Sequence, residues 1–227
     1  MRFPWCRISR SALGRVHGEV GYLDQPFEIL AVHRVDREAR AGNASHAASR
    51  DLQRLAQAKA LSVARQLGNN ALVLAADTTV SDRDRILGKP AGDAEAVSML
   101  RRLRGRRHQV YTALAVLRTA DQRMWQATCL TEVPMRRYTE AEIQAYVASG
   151  DPLDKAGAYA IQHAGFHPAA SLQGCYANVM GLPLCHLVRL LRQVEIEPAQ
   201  PVAQACQAHL AYACTVYPEI LGEDRVA

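Results

Sequence analysis

Apolar or small side chains at Leu52, Leu55, Ala56, Ala60, Val63, Ala64 and Leu67 recur three and four positions apart, and so predict an amphipathic helix across residues 43–67. Ser49 is its expected cap and Gly68 its expected stop. Lys59 falls on the apolar stripe. It either snorkels from the rim of the helix or turns inward to a partner, because a lysine is costly to bury alone. Residues 71–76 are then apolar without a break, the pattern of a short strand covered on both faces, and they give way to Asp77-Thr78-Thr79. A carboxylate at the carboxyl end of a buried strand sits where open α/β sheets place their ligands, although an aspartate that only caps the next turn would look the same.

Further along, Gly88-Lys89-Pro90 reads as a tight loop that brings a second lysine near Asp77. Asp93 is expected to cap a helix ending at Leu103, with Gly105 as its stop. Residues 110–117 and 124–133 read as two strands of an antiparallel hairpin joined by a polar connection around Asp121. Thr139 and Glu142 have the spacing of a capping box and open a helix that ends by Gly150. Asp154-Lys155 precede a run of small residues, Ala156-Gly157-Ala158, that permits close backbone approach. Pro183 suits the first turn of a helix through Leu187, Val188 and Leu191. Residues 195–201, with Pro198 and Pro201, read as a linker to a short added helix.

Composition narrows the class. At 227 residues the chain can bury a full core, and 49% hydrophobic with 22% charged residues is ordinary for a globular protein. No apolar run approaches the roughly 18 residues needed to span a bilayer, so no membrane association is expected. The six cysteines are scattered with no Cys-x-x-Cys pair and no secretory segment before them, which predicts free thiols and a cytoplasmic setting. Residues 1–18 are basic, include serines and carry no acid, traits shared with organelle transit peptides, but a single arginine-rich start does not favour that reading. The net charge of +5 draws on an arginine cluster at Arg101, Arg102, Arg104, Arg106 and Arg107. Such a field attracts anions, yet no aromatic side chains interleave to stack on bases, so a solvated helix face is favoured over nucleic-acid binding.

Five spaced motifs carry a resemblance: Ala76-Asp77-Thr78-Thr79-Val80, Ile86-Leu87-Gly88-Lys89-Pro90, the stretch Arg102-Leu103-Arg104-Gly105-Arg106-Arg107-His108-Gln109-Val110-Tyr111-Thr112, Asp154-Lys155-Ala156-Gly157-Ala158-Tyr159-Ala160-Ile161-Gln162, and Asn178-Val179-Met180-Gly181-Leu182-Pro183-Leu184. In this order they closely resemble the Maf family, over residues 27–193. The resemblance implies an α/β fold with a mixed central sheet flanked by helices, its two lobes enclosing a nucleotide-binding cleft. It also implies a divalent cation, Mg²⁺ or Mn²⁺, and hydrolysis of a nucleoside triphosphate to monophosphate and pyrophosphate. Asp77 matches the acidic catalytic residue, Thr78 and Gln162 the positions of nucleobase preference, and Lys59, Lys89 and Lys155 the lysines that face phosphate. Asp77 and Asp154 are the candidate metal ligands. The form of the fourth motif resembles the branch preferring dTTP and UTP.

Elementary chemistry is consistent with that assignment. Cleavage between the α and β phosphates needs an activated water, which a carboxylate can supply directly or through a held cation, and positive charge on the leaving pyrophosphate. Gln162 carries a donor and an acceptor on one amide and can read a pyrimidine edge. The chain departs from the family pattern near its start. In place of a Ser-x-Ser-Pro-Arg-Arg phosphate loop stands Ser9-Arg10-Ser11-Ala12-Leu13-Gly14-Arg15, leaving Arg15 as the candidate phosphate contact. Arg37 stands where a glutamate is usual, with Glu38 one position on. The expected organisation is a divergent segment 1–26, a catalytic domain 27–193, and a linker and extension 194–227. Two readings follow: an active pyrophosphatase on a nucleoside triphosphate, with a homodimer left open, or a weakly catalytic nucleotide binder acting through a protein partner.

Overall fold

The computed structural model describes residues 15–16, 29–30, 44–67, 71–83 and 85–222, the first two pairs and residues 44–48 by their backbone alone. Two short strands, β1 (Arg15–Val16) and β2 (Ile29–Leu30), pair antiparallel. Helix α1 (Ala44–Ala64) precedes a sheet built from β3 (Leu72–Asp82), β4 (Arg85–Leu87), β5 (Arg107–Arg118) and β6 (Arg123–Pro134). Their order is β4-β3-β5-β6, and every pairing is antiparallel. The α/β class is as expected and the predicted hairpin is β5–β6, but among the described residues the sheet is antiparallel where a mixed one was expected.

Alternation along the strands sorts the core into two sides. Val73 and Ala75 of β3, with Tyr111, Ala113, Ala115 and Leu117 of β5, pack under Leu52, Ala56, Ala60, Val63 and Ala64 of α1. The opposite face, from Leu72, Leu74, Leu114 and Val116, receives Leu190 of α5 (Leu184–Arg192). Farther along that face, Val80, Val110 and Val133 meet α2 (Asp93–Leu103) and α3 (Glu140–Ala148). Helices α4 (Tyr176–Val179), α6 (Val202–Leu210) and α7 (Tyr217–Leu221) complete the chain. Ala203 is buried, and Cys206 and Leu210 of α6 pack on Cys129, Cys175 and Ala177, so the extension is docked on the sheet domain.

Several boundaries differ from expectation for identifiable reasons. Ser49 lies inside α1 rather than capping it, because Ala44, Ala47 and Ala48 are good helix formers and carry the helix further back. Gly68 lies outside the described residues. Asp93 is the first residue of α2, not its cap; Gly92 takes that place, and the Glu95 carboxylate reaches back to the Ala91 N–H at 2.7 Å. The capping box is present: Thr139 Oγ1 accepts from the Glu142 N–H, and the Glu142 carboxylate accepts from the Thr139 N–H. The largest difference is the length of β3. The strand continues six residues past Ala76 because its polar residues find partners, Asp77 pairing across to Ala113 and Thr78 to Thr112.

Candidate functional site

Since β3 runs on, Asp77 occupies the middle of a strand rather than its end. It points to the side of Val73 and Ala75, toward α1. The helix stripe puts Lys59 opposite it, and the Lys59 ammonium forms an ion pair with Asp77 Oδ1 while also donating to the Ala76 carbonyl at 3.2 Å. The Lys59 side chain is 4% exposed and that of Asp77 18%. Of the two sequence readings for Lys59, the inward one holds. Among the described residues the ion pair with Lys59 engages Asp77 Oδ1, and no hydrogen-bond donor meets Oδ2.

Thr78, the next residue, points to the opposite face. Its hydroxyl bonds the Thr112 hydroxyl at 2.8 Å, and Thr112 in turn donates to the Asn178 carbonyl at 3.0 Å. Asp77 and Thr78 are nevertheless neighbours at one edge. Strand β4 covers only Val80, Ser81 and Asp82, so beyond it the edge of β3 at residues 77–79 is not covered by β4. Strand β2 lies against β3, and the backbone of Arg15 pairs with Leu30 of β2. The Arg15 side chain lies outside the described residues, as do Arg37 and Glu38.

Lys89 is exposed and follows Leu87, the residue of β4 opposite Val80, so its loop leaves the sheet beside the uncovered stretch. The turn carrying Lys155 is locked to that loop. The Gly157 N–H donates to the Gly88 carbonyl at 3.0 Å, and a Cβ at Gly157 would stand 3.1 Å from Val80 methyls, while its φ of +71° also favours glycine. Lys155 itself is held by Asp151 Oδ1 at 3.0 Å, the Asp151 carbonyl at 2.8 Å and Asp154 Oδ1 at 2.7 Å. Burial works against its charge, but these carboxylates outweigh it and raise its pKa. Asp154 is therefore engaged with a cation of the chain. Gln162 is exposed on a turn after the buried Ile161. A cleft of about 490 Å³ borders that turn, lined by Ile161, His167, Leu172, Tyr176 and Tyr212 among others.

A second polar cluster was not anticipated. Asp82 is 1% exposed and takes Arg102 at 2.7 Å and Arg106 at 2.5 Å. Arg101 and Arg104 reach Glu140, and Arg107 reaches Glu132 at 3.7 Å. Each arginine of the basic cluster thus has a carboxylate within ion-pair range, and two of them face inward rather than forming a solvated face. Beside them His108 is buried with Nε2 against the Tyr159 hydroxyl at 2.7 Å. Burial lowers its pKa to about 4 despite the pull of Asp82 in the other direction.

Comparison with known proteins gives a consistent picture. A family model described as Maf-like protein matches residues 21–194. The chain is 43% identical over 186 residues to a protein of Methylococcus capsulatus named dTTP/UTP pyrophosphatase, covering 82% of this chain and 89% of the relative. It is 47% identical over 143 residues to a protein of the same name from Dehalococcoides mccartyi strain BAV1. It is 48% identical over 125 residues to a protein of Haemophilus ducreyi named nucleoside triphosphate pyrophosphatase. The match spans 63% of the Dehalococcoides relative and 62% of the Haemophilus one.

Proposed function

The chain belongs to the Maf family, and from that premise we propose that it is a pyrophosphatase cleaving dTTP, UTP or related nucleoside triphosphates to the monophosphate and pyrophosphate. The observation that carries this reading is the Lys59–Asp77 pair on the stretch of β3 that lies beyond β4. Lys59 fixes one carboxylate oxygen and leaves the other to hold a water against the α phosphorus. Attack breaks the bond to the bridging oxygen, Asp77 takes the proton of the water, and pyrophosphate leaves toward the exposed Lys89. Such a base contributes roughly 10²–10⁴-fold.

The divalent cation implied by the family is not matched by the described residues on their own. Among them no group of three or more His, Cys, Asp or Glu is placed to hold a metal, Asp77 brings one unshared oxygen, and Asp154 is tied to Lys155. Among the described residues no helix is long and apolar enough to cross a membrane.

The test is a pyrophosphate-release assay over a panel of nucleoside triphosphates with Mg²⁺ or Mn²⁺. Release of pyrophosphate from dTTP or UTP is expected. Orthophosphate as the product would mean attack at the γ phosphate and would refute the assignment, and nucleotide binding without turnover would favour the partner-dependent reading.

Gln162 is expected to read the base from the turn bordering the 490 Å³ cleft. Gln162→Leu removes both amide hydrogen bonds to the base, each worth roughly 0.5–1.5 kcal/mol, so ratios of kcat/KM across the panel should contract about tenfold. Unchanged ratios would place base recognition elsewhere.

A further inference from the structure

Gln162 stands at the exposed corner of a turn whose two sides are held by one buried residue of α3. Tyr146, 3% exposed, accepts the Ala160 N–H on its hydroxyl at 2.9 Å and sets its ring against that of His163, with centroids 4.7 Å apart. The same ring stacks on Phe166 at 4.3 Å, and the Phe166 N–H donates to His163 Nδ1 at 3.0 Å. The residues on either side of Ile161-Gln162 are therefore fixed, one by the phenol oxygen and the other by the ring.

The hydroxyl that anchors this turn also reaches Lys155. A phenol has one proton to give, and since an ionised carboxylate beside a lysine brings none of its own, that proton goes to Asp151 Oδ2 at 2.7 Å. Asp151 holds the Lys155 ammonium from its other oxygen at 3.0 Å and from its carbonyl at 2.8 Å. Among the described residues the third acceptor is Asp154 Oδ1 at 2.7 Å. Directed hydrogen bonds thus run from the Ala160 N–H through Tyr146 to the carboxylate that holds Lys155. Between the two ends, the Gly157 N–H donates to the Gly88 carbonyl next to Lys89.

We propose that Tyr146 is a positioning residue of the site, whose hydroxyl sets Lys155 and Gln162 in a fixed relation to one bound nucleotide. The proposal rests on the pyrophosphatase reading, in which the lysine meets the phosphates and the glutamine the base. A phenylalanine at this position keeps the ring contacts but leaves the Ala160 N–H and Asp151 Oδ2 without their partner. The carboxylate is then free to turn and carry the ammonium with it, while the Gln162 turn loses one of its two anchors. Asp77 and Lys59 lie on other elements, β3 and α1, so binding suffers more than the chemical step.

The test is a double-mutant cycle in the full-length protein. Tyr146→Phe should raise KM for dTTP about tenfold, with kcat changed by about threefold or less, and the ratio of kcat/KM for dTTP to that for dGTP should move toward one. In a Gln162→Leu background the substitution should no longer alter that ratio, and in a Lys155→Met background it should lose most of its effect on KM. Urea unfolding follows the fold in parallel. If Tyr146→Phe does not fold, Asp151→Asn cuts the same chain one link on and should raise KM likewise. A Tyr146→Phe protein that loses stability yet keeps wild-type KM and selectivity would overturn the proposal, as would effects that persist undiminished in both backgrounds. A wild type that releases no pyrophosphate would refute the pyrophosphatase reading alone, because calorimetric binding of dTTP and dGTP runs the same cycle in Kd. Failure of the wild type to bind either nucleotide would overturn both.

Discussion

Asp77→Asn is expected to lower turnover by roughly 10²-fold or more and to leave a folded protein, since the change keeps the shape of the side chain and removes its charge. The same substitution strips Lys59 of its countercharge. Lys59 is 5% exposed, and an unpaired buried ammonium is costly, so a stability loss of about 1–3 kcal/mol should accompany the loss of activity. Loss of activity through misfolding could therefore be mistaken for loss of a base. A second substitution separates them. Lys59→Met in the Asp77→Asn background removes the orphaned charge while retaining the length of the side chain, and should recover most of the stability measured by urea unfolding. Turnover should stay at the level of the single variant. Recovery of turnover together with stability would show that Asp77 serves the fold and that the reacting water is held elsewhere.

Local patterns made much of this architecture readable. The α1 stripe, the β5–β6 hairpin and the Thr139–Glu142 capping box each depend on residues within a few positions of one another, and each formed where the spacing placed it. Lys59 was legible as an anomaly on an apolar stripe, and Asp77 as the carboxylate that interrupts an apolar run. That Asp77 stays within the strand was not legible, because the strand is extended by pairing with residues 109–118, a long-range event. Asp82 was hidden for the same reason. It looks like a turn residue in sequence, and only the fold brings Arg102 and Arg106 over it. Thr78 shows the limit of motif reading. Adjacent residues in one motif were expected in one site, but strand alternation aims them at opposite faces, and they share only the edge where β4 ends.

Acid should destabilise the protein well above the range in which its carboxylates titrate, and His108 is the principal cause. In the native state its pKa is lowered to about 4 by burial, whereas the unfolded chain has the ordinary value of 6.5. The unfolded state therefore binds a proton that the folded state refuses, and the stability His108 contributes is complete above pH 6.5 and lost as pH falls toward about 4. At about 1.4 kcal/mol for each pH unit across that interval, the loss is on the order of 3 kcal/mol. Glu142 and Asp121, held down to about 2, act lower. Glu142 is lowered foremost by the Thr139 N–H and Asp121 by Arg118, so the stability each contributes is lost only as pH falls from the normal carboxylate range toward 2. His186, also lowered by burial, overlaps the same window, so the measurement needs a reference protein. His108→Gln provides it, because the amide can still meet the Tyr159 hydroxyl but does not titrate. Unfolding free energies at pH 7.5 and 4.5 should fall by about 3 kcal/mol more in the wild type than in His108→Gln. Equal losses in the two proteins would mean that His108 is protonated in the folded state, with the nearby Asp82 compensating its burial.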